Sequence, residues 1–126
     1  MQEDYIFNLN EWYNLSAAHI RENDTSILKI YLNGVLLFTE EINDGPPNGD
    51  NNFNLTIGMR NSEYPFNGNI DNLELWNTAL SQEQIQSYIT SQPNGMEENL
   101  VAHYKFNAGS GNTLYDHSGN GNHGTI

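Results

Sequence analysis

Residues 27–42 read ILKIYLNGVLLFTEEI, two β-prone apolar runs on either side of the dipeptide Asn33-Gly34. Asparagine and glycine tolerate the positive φ angles of a type I′ turn, whose twist matches that of the strands it joins. The stretch therefore predicts a β-hairpin. It also predicts the class of the whole chain, which we expect to be all-β with antiparallel strands.

Further strands are predicted on both sides of this hairpin. Residues 53–60, FNLTIGMR, alternate apolar and polar side chains with the period of two that a pleated strand requires. Less regular alternation predicts strands at residues 12–20, 66–76 and 99–107, of which 66–76 has apolar residues on both faces and is expected to be internal. The polar segment 43–52, NDGPPNGDNN, is dense in turn-forming residues and predicts a loop at one end of the sheet structure.

One short helix is predicted at residues 82–91. Ser81 and Gln84 form an S-x-x-Q capping box, in which each side chain accepts a hydrogen bond from the other residue's backbone N–H. Apolar residues behind the box recur at the i, i+3 and i+4 spacing of an amphipathic helix. These residues are Ile85, Tyr88 and Ile89.

Charge and composition exclude several classes of function. The 126 residues fit one domain, and they carry 16 acidic side chains against four basic ones, a formal net charge of -12. Four scattered cations cannot neutralise a phosphate backbone, so we expect no nucleic-acid partner, and the same repulsion disfavours an anionic membrane surface. Divalent cations and neutral sugars remain compatible with this charge. The chain has no cysteine, which excludes disulfides, thiolate chemistry and cysteine-based zinc sites.

Targeting signals are not recognisable in these residues. No stretch approaches the roughly 20 apolar residues of a membrane span. The opening MQED lacks the basic and apolar regions of a signal peptide, so the signal of an exported protein would lie outside this chain.

Taken in order, the motifs of residues 12–91 resemble a known family. Trp12 with its following strand, YLNG at 31–34, LTIGMR at 55–60 and FNGNIDNLELWNTALSQEQI at 66–85 resemble the C-terminal half of laminin G-like domains in the concanavalin A-like lectin and glucanase superfamily. The end of the chain, LVAHYKFNAGSGNTLYDHSGNGNHGTI, is similar to the start of such a domain. The family's opening thus follows its ending, which fits either a piece of two tandem repeats or a circular permutation.

The resemblance implies an antiparallel β-sandwich of the jelly-roll type that lacks some middle strands. Residues 1–95 would be the C-terminal part of one repeat, and residues 96–126 the start of another that completes the same sandwich. First and last strands are neighbours in such a fold, so we expect 99–107 to pair beside 66–76. Because unpaired sheet edges invite another chain, a strand-swapped homodimer is expected for this fragment.

The function implied by the resemblance is that of a non-catalytic, carbohydrate- or glycoconjugate-binding accessory module of an extracellular or cell-surface protein. The alternative is a structural adhesion or spacer repeat that contacts proteins and binds no sugar. A retaining glucanase needs two carboxyl groups about 5–5.5 Å apart, whereas Asp71 and Glu74, three residues apart on a strand, face opposite sides. We therefore expect no enzyme. The four histidines lack metal-ligand spacing, and His19 and His103 are expected to pack within strands.

Two interpretations apply to the loop DHSGNGN at 116–122. Family members with this turn often bind structural calcium, and the resemblance places Asp116, Asn120 and Asn122 among its ligands, with help from Asp71. Carboxylate, amide and backbone oxygens are the ligands that Ca²⁺ prefers, and bound calcium would raise the melting temperature. In the other interpretation these side chains hydrogen-bond to nearby backbone and form a tight turn.

Sugar binding would depend on aromatic rings that stack on pyranose faces. Tyr64, Tyr13 and Tyr115 lie in or beside polar loops and are the candidate ligand-binding residues. Trp12 and Trp76 lie within predicted strands and are expected in the core instead.

Overall fold

The computed structural model describes residues 7–43, 53–60 and 63–126. This part of the chain consists mainly of antiparallel strands in several small sheets, with one short helix, which confirms the all-β fold class. The predicted loop at 43–52 lies outside the described residues apart from Asn43. In chain order the elements are β1 (Leu15–Glu22), β2 (Thr25–Leu32), β3 (Val35–Asn43), β4 (Met59–Arg60), β5 (Tyr64–Pro65), β6 (Leu73–Trp76), α1 (Gln82–Thr90), β7 (Leu100–Tyr104), β8 (Thr113–Leu114) and β9 (Gly124–Thr125).

The described residues belong to two compact units. The first unit lies within Met1–Gly45 and Leu80–Ser91, and it contains β1, β2, β3 and α1. The second lies within Pro46–Ala79 and Gln92–Ile126, and it contains the other six strands. We call them the hairpin unit and the C-terminal unit.

The hairpin unit contains a three-stranded antiparallel sheet in the order β1-β2-β3. The turn between β2 and β3 has φ angles of 50° at Asn33 and 74° at Gly34, the positive values that a type I′ turn requires. The predicted hairpin is confirmed. The Asn33 side chain also accepts a hydrogen bond from the Asn14 backbone N–H at 2.9 Å, which ties the turn to the start of β1.

The helix α1 covers the sheet of the hairpin unit, and it confirms the helix predicted at 82–91. Both hydrogen bonds of the capping box between Ser81 and Gln84 are present. Ile85, on the inner face of the helix, packs with Ala18 of β1 and Tyr31 of β2. Among the described residues no helix has the length and apolar character needed to cross a bilayer.

The strand predicted at residues 12–20 begins later, at Leu15. Trp12 precedes it and is 68% exposed, so the expectation that Trp12 belongs to the core is wrong. The reason is local, because Asn14 hydrogen-bonds to the hairpin turn in both directions and the chain leaves the sheet at that point.

The strand predicted at residues 53–60 is also wrong over most of its length, since only Met59–Arg60 is extended and paired. Gly58 has a φ of 76°, and the Thr56 hydroxyl donates to the Met59 carbonyl, so the backbone turns where the prediction continues. Alternation defines two faces, but a strand also needs a partner along its length, and the described partner β5 has two residues.

The strand predicted at residues 66–76 shortens to β6, because Asn72 at φ 51° interrupts the extended backbone. The partner predicted for it is present. β7 pairs antiparallel with β6, with Glu74 opposite His103 and Leu75 opposite Ala102, and it corresponds to the strand predicted at 99–107. In the described part of the chain β6 pairs with β7 alone, so its predicted internal position is not observed.

Candidate functional site

The loop after β8 lies against β7 in the C-terminal unit. Asp116 forms an isolated antiparallel bridge with Tyr104, and the His117 backbone N–H donates to the His103 carbonyl at 2.8 Å. The Tyr104 hydroxyl donates to the Asn122 carbonyl at 2.6 Å. Both ends of the segment 116–122 are therefore hydrogen-bonded to β7.

The carboxylate of Asp116 is the centre of this loop, and it is 8% exposed. One oxygen, Oδ1, accepts from the backbone N–H groups of His103 at 2.9 Å and Ser118 at 2.8 Å. The other, Oδ2, accepts from the Ser118 hydroxyl and the Asn122 N–H, both at 2.9 Å. Burial raises the pKa of Asp116, but these hydrogen bonds outweigh it, and the net result is a pKa below the ordinary value.

The two predicted asparagine ligands turn their amide NH₂ groups toward β7. Asn120 Nδ2 donates to the carbonyl oxygens of Leu100 at 2.7 Å and Val101 at 3.1 Å, and Asn122 Nδ2 donates to Val101 at 2.9 Å. A carbonyl acceptor requires a donor opposite it, so these contacts fix which end of each amide faces inward.

Asp71 contributes to a separate local contact, in which its Oδ1 accepts from the Asn72 backbone N–H at 2.9 Å. Within the described ranges no three His, Cys, Asp or Glu side chains are grouped as metal ligands would be. Calcium needs six to eight free oxygen ligands, whereas the oxygens of Asp116 and the carbonyls of β7 already accept protein donors. The residues as placed do not fit calcium, and the contacts match the tight-turn interpretation.

A cleft of about 210 Å³ lies beside this loop in the C-terminal unit. Its walls come from the glycine-rich turn before β8, from β8 itself and from the residues on either side of Asp116. The lining residues are Phe106, Asn107, Ala108, Gly109, Ser110, Gly111, Thr113, Leu114, Tyr115, His117 and Ile126. Tyr115 is thus the sugar-binding candidate that the structure places at a cleft.

Two aromatic side chains with unusual features, Tyr115 and Phe106, line the cleft. Tyr115 is 51% exposed, and its ring meets the ring of His123 edge to face at a centroid distance of 5.6 Å. Phe106 holds a φ of 49°, which is unusual for a bulky residue and carries strain that clusters at functional sites. The cleft lining therefore includes the half-exposed ring of Tyr115, which packs against His123, and a second aromatic side chain, Phe106.

The other two tyrosine candidates lie elsewhere. Tyr64 lies in β5 and is well exposed, but it does not line this cleft. Tyr13 belongs to the hairpin unit, where its hydroxyl donates to Glu11 at 2.7 Å and its ring packs edge to face on Phe7. Within the C-terminal unit, Tyr64 and Tyr115 therefore do not line the same cleft.

His103 of β7 is fully buried, as its predicted packing role requires, and both ring nitrogens lack a hydrogen-bond partner. Its ring packs edge to face against His117, with centroids 6.4 Å apart. Burial lowers the pKa of His103, and the charges of Lys105 and His117 lower it further against the opposing effect of Glu97 and Asp116.

The carboxylates of Glu74 and Glu97 accept hydrogen bonds within the protein. Burial raises the pKa of Glu74, whose carboxylate accepts from the Trp76 indole N–H at 3.2 Å. Glu97 raises this pKa slightly as well, but its own oxygens accept from the backbone N–H groups of Asn94 and Gly95. Trp76 itself is partly buried in β6, in agreement with its predicted packing role.

Sequence reasoning missed most of the cleft. Phe106, Thr113 and His117 were not candidates for the sugar site. Thr113 is positioned by the pairing of β8 with β9, and His117 by its hydrogen bond to β7. The available signal was the glycine-rich segment 107–112, NAGSGN, which ends three residues before Tyr115.

A comparison with protein families identifies the family of the first part of the chain. Residues 1–86 match a laminin G-like family described as the concanavalin A-like lectin/glucanases superfamily, whereas no curated protein and no solved structure matches the chain. The Asp116 loop and the cleft lie beyond the matched range. Because the match covers 86 of 126 residues and confirms the resemblance drawn from the motifs, the chain belongs to the concanavalin A-like lectin/glucanase superfamily.

Proposed function

We propose that this protein is a non-catalytic carbohydrate- or glycoconjugate-binding accessory module whose site is the cleft beside Tyr115. The observation that carries the proposal is the half-exposed Tyr115 ring on the wall of a cleft of about 210 Å³. An exposed aromatic face next to hydroxyl and amide groups is the combination that sugar recognition uses.

The chemistry of the lining supports a neutral sugar. Asn107, Ser110 and Thr113 supply amide and hydroxyl groups, and no Lys or Arg is among the described lining residues. An anionic sugar would find no cation there, and the net charge of -12 would repel it. The volume is below the roughly 300 Å³ of pockets for drug-sized ligands, which suits one sugar unit.

Binding without catalysis is supported by the acidic side chains of the C-terminal unit. Hydrolysis requires a free carboxyl pair across the bond, whereas Glu97 and Asp116 use their oxygens to hold backbone N–H groups. Laminin G-like domains are in general non-catalytic, although the superfamily includes glucanases.

An extracellular or cell-surface location belongs to the same proposal, since laminin G-like domains are typically extracellular. We also keep the division at residues 95 and 96, between the end of one repeat and the start of the next, as a proposal. The family match ends at residue 86, and β7 pairs with β6 across this boundary.

A glycan array tests the proposed site with three proteins, the unmodified chain, Tyr115→Ala and Tyr64→Ala. We expect saturable binding to neutral glycans, a loss of about tenfold or more in Tyr115→Ala, and little change in Tyr64→Ala, because a stacked ring contributes more than 1 kcal/mol. If the folded chain binds no glycan on the array, or if Tyr115→Ala binds as well as the unmodified chain, the proposed site is rejected.

A second candidate, adhesion through protein contacts, is favoured by β3. All nine of its residues are exposed, including Leu37 and Phe38, and in the described part of the chain it pairs with β2 alone. Such an edge accepts an added strand, for example from a second copy in a strand-swapped homodimer. Sedimentation equilibrium tests this: a dimer that Leu37→Lys dissociates supports it, and a monomer at all concentrations rejects the homodimer.

A further inference from the structure

We infer that the Asp116 loop is a metal-independent clamp, in which a buried carboxylate replaces the calcium that this turn suggests and fastens residues 116–122 to β7. Through its neighbours Tyr115 and His117 the clamp also positions one wall of the cleft. This last step depends on the proposed function, whereas the clamp itself does not.

Protein donors use the whole hydrogen-bonding capacity of the Asp116 carboxylate. An ionised carboxylate offers about four acceptor sites on its two oxygens. Here four protein donors, three backbone N–H groups and one hydroxyl, reach those oxygens at 2.8–2.9 Å. A cation bound to these oxygens would displace buried N–H donors, each of which would then lack a partner at a cost of about 1–3 kcal/mol.

The backbone oxygens of β7 that face the loop also accept protein donors. The carbonyls of Leu100 and Val101 accept from Asn120, and that of Val101 also accepts from Asn122. The amide side chains thus act as donors toward β7, where calcium coordination requires them to present oxygen.

The clamp joins strand β7 to the loop of residues 116–122. The donors to Asp116 come from β7 on one side, through His103, and from residues 118 and 122 on the other. The Asp116 backbone N–H donates to His123 Nδ1 at 3.0 Å, and His117 donates to the His103 carbonyl. Of the two cleft residues that flank Asp116, His117 is therefore bonded to the strand directly, and Tyr115 is positioned as the residue that precedes the bonded Asp116 and packs against His123.

The test compares thermal unfolding of the full chain, Asp116→Asn and the control Asp71→Asn in EDTA and in about 5 mM calcium chloride, a range that would fill even weak extracellular sites. We expect the unmodified chain to melt at the same temperature in both buffers. Asp116→Asn should melt about 5–10 °C lower in both buffers. Its NH₂ group would replace one acceptor oxygen and face protein donors, which would lose their hydrogen bonds. Asp71→Asn should be unchanged.

A melting temperature of the unmodified chain that rises in calcium, together with loss of that rise in Asp116→Asn, would overturn the inference. If Asp116→Asn does not fold, hydrogen exchange of the unmodified chain decides. Protection of the His103, Ser118 and Asn122 amides in EDTA supports the clamp, and protection that appears only with calcium refutes it. Neither readout involves sugar, so a failed glycan array would leave this result unaffected.

Discussion

The two units of the chain are stabilised by different kinds of contact. In the hairpin unit the buried centre is apolar, with Ala18, Tyr31 and Ile85 packed together. In the C-terminal unit the buried residues include His103, Asp116 and Ser118 beside the apolar face of β7. The Asp116 carboxylate and the Ser118 hydroxyl are hydrogen-bonded to one another and to backbone groups, and a satisfied polar network of this kind specifies one arrangement. The C-terminal unit thereby fixes an irregular loop, and that loop borders the cleft.

Removal of apolar packing should have the largest effect, and it should be confined to the hairpin unit. Ile85→Ala leaves a cavity against Ala18 and Tyr31, and we expect a loss of about 3 kcal/mol in the free energy of unfolding. Urea denaturation followed by circular dichroism measures this loss. Ile89→Ala, on the same helix but 41% exposed, should cost about 1 kcal/mol or less. Equal effects would contradict the assignment of Ile85 as the core residue of α1.

Two glycines of the C-terminal unit separate the effect of a steric clash with nearby backbone from the effect of backbone strain. Gly95 and Gly121 both have positive φ, at 94° and 75°. A Cβ at Gly95 would overlap the His117 carbonyl oxygen, whereas a Cβ at Gly121 would meet nothing within 4 Å. We expect Gly121→Ala to cost about 1 kcal/mol and Gly95→Ala about 1 kcal/mol more. The same urea experiment measures both, and matching costs would show that Gly95 tolerates a side chain.

Acid should weaken the C-terminal unit through His103. Its folded pKa lies below the unfolded value of about 6.5, so the folded state favours the neutral ring. The resulting stability is complete above the unfolded pKa and is lost as the pH falls from there toward the folded pKa. Between about pH 7.5 and pH 5 the free energy of unfolding should fall by at most about 2 kcal/mol. This limit corresponds to about 1.5 pH units below the unfolded pKa, at about 1.4 kcal/mol for each unit.

The role of His103 is tested by the unfolding free energies of His103→Phe and His19→Gln, measured between about pH 7.5 and pH 5. Phenylalanine keeps a ring in the buried site without a proton to bind, so its pH profile should be flatter than that of the unmodified chain. His19 is exposed on β1, and His19→Gln should retain the acid sensitivity. An unchanged slope in His103→Phe would show that other groups cause it.

The sequence predicted those elements whose determinants are local. The Asn33-Gly34 turn and the capping box at Ser81 each require a few adjacent residues, and both formed as expected. Residues 53–60 alternate just as clearly, yet only their last two residues pair, because a ladder depends on a partner that local pattern does not specify. The pairing of β6 with β7 was predictable through the family resemblance, which supplies long-range order.

The candidate site was predictable in part for the same reason. The turn interpretation of Asp116 follows from Asp, Ser and Asn spacing, since these side chains bond to nearby backbone. The cleft was not predictable, because Ile126 reaches its lining through the pairing of β8 with β9, which the local pattern does not specify. Tyr115 was identified as an aromatic residue beside a polar loop, a property that Tyr13 and Tyr64 share.

The most direct test of the functional account is a chemical-shift titration of the ¹⁵N-labelled full chain with the neutral sugar that binds most strongly on the array. The account predicts that the largest shifts occur in residues 106–117 of the C-terminal unit, with Tyr115 among them, while the turn at Asn33-Gly34 stays unchanged. Saturable shifts confined to the hairpin unit would contradict it.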